Sequence, residues 1–288
     1  LLEVKKAIEV GFKPEQIILN GPAKGWRREN LPAGKLYSIF CDSIEELNEV
    51  IEKAERGELK THFLGVRLRT PNVQSRFGIP IDTPEVFEKL IEGVRRIPKG
   101  CKFAVHFHLA SSNIGIGQWW HLFESILRWC VSIESLSGRI IEVLDTGGGW
   151  FPEDVPNEPN ETVKKAMSRI PEFLPNVRQV ISEPGKFVAQ PSMAVAMQIL
   201  ELRSSGESVH EAVVDGSIAE LPMYFFYPHR ILYKNAANGG WKPLNRGKTK
   251  ILGRLCMEHD IVASNIELPE SAQVGDILVF CDAGAYDR

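Results

Sequence analysis

Short runs of apolar and β-branched residues alternate with stretches that read as helices from Ile17 to Ile181, and this alternation restricts the fold more than any other feature. The runs fall at residues 17–19, 36–40, 63–68, 103–109, 140–144 and 177–181. The helix signals between them are specific. Ser43 with Glu46 three residues on forms a capping box that opens a helix running to about Arg56. Thr83 followed by Pro84 reads as N-cap and first helical residue of a helix toward Ile97. Residues 119–135 and 161–170 carry apolar side chains at helical spacing, and the chain opens in a helix over residues 1–10. Strands this uniformly apolar are buried on both faces, which requires a parallel sheet with helices outside it. Two α/β architectures fit six such strands. A TIM-type (β/α)8 barrel would need two more strands upstream. An open doubly wound sheet needs none.

Beyond residue 190 the alternation stops. Strand-like runs at 192–202, 211–214, 249–252, 261–266 and 276–280 follow without helices between them, while residues 235–247 are rich in Asn, Gly and Pro and read as a flexible loop. The expected organisation is an α/β domain over residues 1–190 and an all-β domain over residues 191–288.

Bulk composition removes several classes of function. With 34 basic against 37 acidic residues and no basic stripe, nothing favours nucleic acid. No apolar run approaches the roughly 20 residues of a membrane span, and the first residues, Leu1-Leu2-Glu3-Val4-Lys5-Lys6, are not a secretory signal. Five cysteines, odd in number and irregular in spacing, fit a reducing compartment, so the chain is read as cytoplasmic.

A parallel α/β sheet keeps its chemistry at the carboxyl ends of its strands. Three runs end in reactive residue types: His106-Phe107-His108, Asp145-Thr146-Gly147-Gly148-Gly149 and Ser182-Glu183-Pro184-Gly185-Lys186. Three successive glycines free a turn of every Cβ and let backbone N–H groups approach an anion, which reads as a phosphate cradle or simply as a tight turn. The run lacks the spacing of a dinucleotide fingerprint. His106 and His108 share one strand face and could pair on a metal. Further ligands would have to come from Glu183, or from His229 and His259 in the β domain, and no metal is expected. A carboxylate at the position of Glu183 can hold a heteroaromatic ring nitrogen protonated, as a pyridinium electron sink requires.

These motifs, taken in order, resemble the alanine-racemase-like pyridoxal-phosphate enzymes, and within them the ornithine, diaminopimelate and arginine decarboxylases. The resemblance runs from Asn20-Gly21-Pro22-Ala23-Lys24 and Asp42-Ser43 through Ser75-Arg76-Phe77-Gly78 to Gly253-Arg254-Leu255-Cys256-Met257-Glu258-His259-Asp260, Val274-Gly275-Asp276 and Asp282-Ala283-Gly284-Ala285-Tyr286. It implies the barrel, pyridoxal 5'-phosphate as cofactor, an amino-acid substrate and a homodimer with shared active sites. By position, His108 would stack on the pyridine ring and Arg67 would face the ring region. Ser111, the amides of Gly147, Gly148 and Gly149, Lys186 and Tyr286 would hold the phosphate. Glu183 would pair with the ring nitrogen. Cys256 would return a proton to the carbon that carbon dioxide leaves, acting from the neighbouring subunit, and Asp215 would meet the substrate side chain.

The chain also departs from the family. No Tyr-x-x-Lys-Ala-Asn-like segment carries a Schiff-base lysine, which together with the strand count implies that roughly 60 to 80 residues are absent. Lys186 stands in place of an arginine, keeping the charge and losing the bidentate fork, and Arg76 replaces a common lysine. Met257 stands where the diamine-producing members carry an acidic residue, so a less cationic or derivatised amino acid is expected, with Glu258 or Asp260 as the remaining carboxylates near the substrate. Alternatives are a racemase of the same fold, which would want a catalytic tyrosine in the β domain, a non-catalytic regulatory paralogue, and a metal-dependent barrel hydrolase.

Overall fold

The computed structural model describes residues 2–287 except positions 23, 25–33, 70, 72–74, 110, 150–158, 206–207, 228 and 238. The chain divides into two compact units, Leu1–Pro184 and Gly185–Arg288.

In chain order the first unit contains α1 (Leu2–Glu9), β1 (Ile18–Leu19), β2 (Leu36–Cys41), α2 (Ile44–Glu55), β3 (Thr61–Arg69), β4 (Ile79–Pro80), α3 (Pro84–Arg96), β5 (Lys102–Phe107), α4 (Ser111–Ser137), β6 (Ile141–Asp145), α5 (Pro159–Phe173) and β7 (Gln179–Ile181). All strand pairs are parallel and run in the order β1-β2-β3-β5-β6-β7, with β4 beside the end of β3. The order never reverses, so the sheet has no switch point and the doubly wound alternative falls.

The sheet is rolled. Laid flat, six strands at about 4.8 Å spacing would put the first and last about 24 Å apart. Instead the Asn20 side chain, just past β1, donates to Glu183 Oε1, just past β7, at 3.2 Å. Ile18, Phe40, Phe63, Ala104, Val143 and Ile181, one from each of the six strands, form the small inner cluster that this curvature creates. Gly65 makes room for it, because a Cβ there would lie 2.5 Å from the Phe40 ring. The outer face packs Ile39, Leu64, Val66, Phe103 and Val105 against Leu47 and Ile51 of α2, Leu90 and Val94 of α3, and Phe123 and Leu127 of α4. The arrangement is a parallel half-barrel with its helices outside.

Both expected N-caps are present: Ser43 Oγ accepts from the Glu46 amide and Thr83 Oγ1 from the Val86 amide. The capping box is incomplete on its return side. The Glu46 carboxylate accepts from the Asp42 amide at 2.7 Å and pairs with the buried Lys24 ammonium at 2.8 Å. Helix α4 starts eight residues before the expected Trp119, because its first turns carry Gly115, Gly117 and two isoleucines, which weaken any propensity signal. Helix α5 continues past Ile170 through Pro171, whose missing N–H falls in the last turn.

The second unit contains α6 (Gly185–Ala189), β8 (Val195–Ser205), β9 (Ser208–Val214), β10 (Ile231–Lys234), β11 (Lys242–Pro243), β12 (Arg246–Leu252), β13 (Ile261–Ile266) and β14 (Ile277–Phe280). Its sheet runs β11-β10-β14-β8-β9-β12-β13, antiparallel except for the parallel β9–β12 pair. Residues 235–247 are more regular than a flexible loop: Lys242 and Pro243 pair with Tyr233 and Leu232, and Arg246 already belongs to β12. Asp276 secures that connection, accepting from the Tyr233 hydroxyl at 2.5 Å and from the Ala236 and Gln273 amides at 2.9 Å each. Among the described residues no helix is long and apolar enough to cross a membrane.

Candidate active site

At the carboxyl end of the half-barrel the inward side chains change from apolar to charged. Arg67, His106 and Asp145 follow one another across β3, β5 and β6 in register. His106 and Asp145 are wholly buried. Asn20 links them to the last strand, its Nδ2 lying 3.2 Å from both His106 Nε2 and Glu183 Oε1. His106 Nε2 stands 3.5 Å from Glu183 Oε2. The Arg67 guanidinium lies 3.9 Å from Asp42 Oδ1 and over the Phe77 ring at 4.9 Å, with Arg76 on the same ring at 4.5 Å.

The glycine run turns just above this layer. Gly147 and Gly149 have φ of +65° and +85°, the left-handed region that glycine enters without strain. Gly148 is glycine for a different reason. A Cβ there would sit 2.1 Å from the Glu183 carbonyl oxygen. The run also spends amides internally: Gly147 donates to Asp145 Oδ1 at 2.9 Å and Gly148 to His108 Nδ1 at 3.2 Å. Its first two N–H groups are therefore tied to protein acceptors.

Electrostatics sort the ionisable groups. Burial, reinforced by the Arg67 and His106 charges, depresses His108 to about 4, so its imidazole is neutral, as an Nδ1 that accepts an amide N–H must be. Burial lifts Asp145 to about 6 against the pull of His106 and the Gly147 amide. Burial also works to raise Glu183, but His106 and Asn20 overcome it and hold the carboxyl below its ordinary range.

Two of these shifts oppose each other in stability. His108, depressed in the folded state, contributes stability that is lost as pH falls from about 6.5 to about 4. Asp145, raised in the folded state, contributes stability present at low pH and lost as pH rises from about 4 to about 6. Each is worth about 3 kcal/mol by the linkage relation. The pair is expected to cancel between pH 4 and 6. Urea titrations across that range should show Asp145→Asn losing stability toward low pH and His108→Gln losing it toward high pH. Two variants parallel to the wild type would contradict the assignment.

The second unit holds the other expected residues. Cys256 and Met257 are exposed on the turn between β12 and β13. Asp260, at the end of that turn, is buried, and its carboxylate accepts from Ile218 N at 2.8 Å and Leu255 N at 2.6 Å. Both oxygens are thus committed, so the carboxylate shapes the turn. Asp215 Oδ1 accepts from Gln198 N at 2.8 Å, and its carbonyl accepts from Arg254, whose other nitrogen pairs with Glu220 at 2.8 Å. The Lys186 ammonium lies 3.1 Å from the centroid of the Tyr227 ring. Tyr286 is exposed and adopts φ +67°, unusual for a side chain of its size. Ser111 begins α4, and its side chain lies outside the described residues.

The reading of the sequence placed Asn20, Asp42 and Asp145 in motifs without giving them roles. Their common signal was position: each directly follows or ends a strand run, on the inward face. His106, Asp145 and Glu183 also bring ligand-type atoms within 4.8 Å of one another.

A half-barrel whose last strand ends in a carboxylate kept ionised, beside a Cβ-free turn, has the acceptor that a cationic heterocycle requires. Residues 1–190 match the pyridoxal-binding domain of the pyridoxal-dependent decarboxylases, and the chain belongs to that family, whose cofactor is pyridoxal 5'-phosphate. It is 26% identical over 308 residues to a diaminopimelate decarboxylase of Actinosynnema pretiosum subsp. auranticum, covering 99% of this chain and 67% of that protein. It is 22% identical to the L-glutamyl-[BtrI acyl-carrier protein] decarboxylase of Niallia circulans, covering 99% of this chain and 71% of that one. The arginine decarboxylase of Paramecium bursaria Chlorella virus, solved with agmatine, superposes with a TM-score of 0.72 at 19% identity, over 99% of this chain and 76% of that one. The residues present fit the cofactor: the Glu183 carboxylate, held below its ordinary range, is the acceptor a pyridinium N–H needs, and the glycine run lets the turn pack directly against the Glu183 backbone.

Proposed function

We propose that this protein decarboxylates an amino acid or derivatised amino acid with pyridoxal 5'-phosphate, as a cytoplasmic homodimer, and that its half-barrel is the greater part of a (β/α)8 barrel. The observation that carries the reading is the Glu183 carboxylate, held ionised at the end of β7 by Asn20 and His106. When bound, the cofactor supplies a sink for the electron pair that the departing carboxylate leaves behind. The chain's own part is binding, orientation and one proton. Glu183 holds the ring N–H. His108, neutral and fixed by the Gly148 amide, would stack on the ring, with Arg67 facing the same region. From the first unit, Ser111, Gly147, Gly148 and Gly149 would hold the phosphate. Two of the three glycine amides are already engaged within the chain. Cys256 donates a proton to the substrate carbon, and its exposure on a turn suits a group that serves a partner subunit.

The substrate side chain is expected to lack a distal cation. Asp260 has both oxygens engaged by amides, Asp215 accepts a backbone N–H, and Met257 offers no charge. Glu258 is exposed and remains the one acidic side chain on the turn without such a commitment. The test is release of carbon dioxide from a panel of neutral, acidic and diamino acids, with and without the cofactor. Cofactor-dependent release from a substrate without a distal ammonium is expected. Met257→Glu should then raise relative kcat/KM for diamino acids by about tenfold, the worth of one charge-assisted hydrogen bond. A wild type that already prefers diamino acids, with Met257→Glu indifferent, would overturn the substrate assignment.

A further inference from the structure

Cys256 stands at the tip of a tight turn. The Met257 amide donates to the Leu255 carbonyl at 2.8 Å, two residues back, which closes a three-residue turn with the cysteine in the middle. Residues 254–259 are exposed, whereas Asp260 is only 3% exposed. That one residue holds both stems of the turn. Its carboxylate Oδ2 accepts from the Leu255 amide at 2.6 Å, its own amide donates to the Met257 carbonyl at 3.0 Å, and its carbonyl accepts from the Gly253 amide at 2.8 Å. The other carboxylate oxygen reaches a different segment, accepting from the Ile218 amide at 2.8 Å. Arg254 crosses to the same segment, through its amide to the Gly216 carbonyl at 2.9 Å and its guanidinium to the Asp215 carbonyl and to Glu220. Gly253 leaves room for this, since a Cβ there would lie 2.2 to 2.4 Å from the carboxylate atoms of Asp260.

We propose that Asp260 is a positioning residue for Cys256, and that it fixes the turn carrying the thiol to the segment that begins at Asp215. The proton donor and the residue expected to meet the substrate side chain are then held as one unit. In this role Asp260 acts through two backbone amides and needs no contact with the substrate. A carboxylate suits the task, because two N–H donors need two acceptor oxygens and its charge strengthens both bonds. The consequence is directional. The Cys256 S–H bond breaks, its proton forms the new C–H bond at the carbon that carbon dioxide left, and the resulting thiolate recovers a proton from water. A thiol on a fixed turn delivers to one face of that carbon. On a loosened turn it does not, and water reaches both faces.

The proposal rests on the role of Cys256 as proton donor, and the test separates the two. Two variants loosen the turn by different routes. Asp260→Asn keeps one acceptor oxygen and sets an NH2 group against a backbone N–H. Gly253→Ala keeps the carboxylate and pushes it off its amides, displacing a side chain and not the backbone. Hydrogen exchange of the full chain without pyridoxal 5'-phosphate is the first readout. In both variants the Leu255 and Ile218 amides are expected to exchange about 10- to 100-fold faster relative to the Leu278 amide in β14, the worth of one hydrogen bond to a charged group. The second readout is decarboxylation in heavy water by the holoenzyme, on whichever amino acid of the panel it turns over fastest. The wild type is expected to place deuterium at the amine carbon in one configuration, and both variants in a mixture. Lost stability alone would lower the yield of folded enzyme without changing that ratio. Unchanged relative exchange at Leu255 and Ile218 overturns the proposal, and so does faster exchange with a single configuration retained. If Cys256→Ala itself keeps a single configuration, the reading of Cys256 fails instead, and the exchange result stands apart from it.

Discussion

Glu183→Gln is expected to leave the protein folded and to lower kcat on the order of 100-fold or more, the scale of removing a group that stabilises charge in the reacting state. The amide keeps the shape of the carboxyl and one acceptor oxygen, so the Asn20 contact at 3.2 Å survives. What is lost is the negative charge. A neutral amide cannot keep a ring nitrogen cationic, and the sink for the departing electron pair weakens accordingly. The cofactor should still bind, since the phosphate contacts lie elsewhere. The measurement is single-turnover carbon dioxide release beside the melting temperature of each protein. A variant with wild-type turnover would remove Glu183 from the mechanism, while a variant that fails to fold would give the carboxylate a structural part it does not have here.

Gly148→Ala should have the largest effect on stability. The added carbon would meet the Glu183 carbonyl oxygen at 2.1 Å and its carbonyl carbon at 3.2 Å, both backbone atoms that cannot swing aside. Relief requires the ends of β6 and β7 to part, against the hydrogen bond from the Glu183 amide to the Gly147 carbonyl at 2.9 Å. A loss of about 2–4 kcal/mol is expected, the range for forced overpacking and backbone displacement. Gly100→Ala, where the new carbon meets nothing within 4 Å, serves as the control. Denaturant midpoints for the two variants decide it: equal midpoints would mean that the turn yields at little cost.

The six strand runs of the first unit could be read directly, because parallel strands buried on two faces leave an unbroken apolar signature. The choice between barrel and open sheet could not. It depends on strand order, and neither periodicity nor propensity encodes which strands lie side by side. The charged layer was legible in part. His106, Asp145 and Glu183 each stood at a run's end, but their convergence needed the roll of the sheet, which brings residues 163 positions apart into contact. The internal use of the Gly147 and Gly148 amides had no signal at all in a run of three identical residues. In the second unit β10 and β11 went unread, being four and two residues long, and the commitment of Asp260 to the amides of Ile218 and Leu255 is a tertiary fact.

The contact between Asn20 and Glu183 also has a kinetic meaning. Local helices and neighbouring strands can form early, since each pairs with the element next to it in the chain. The join between the first and last strands closes a loop of more than a hundred residues, and contacts of that separation form late. Cofactor affinity should therefore return on refolding after most of the secondary structure has recovered, and a folding intermediate with a complete circular dichroism signal would still be blind to pyridoxal phosphate.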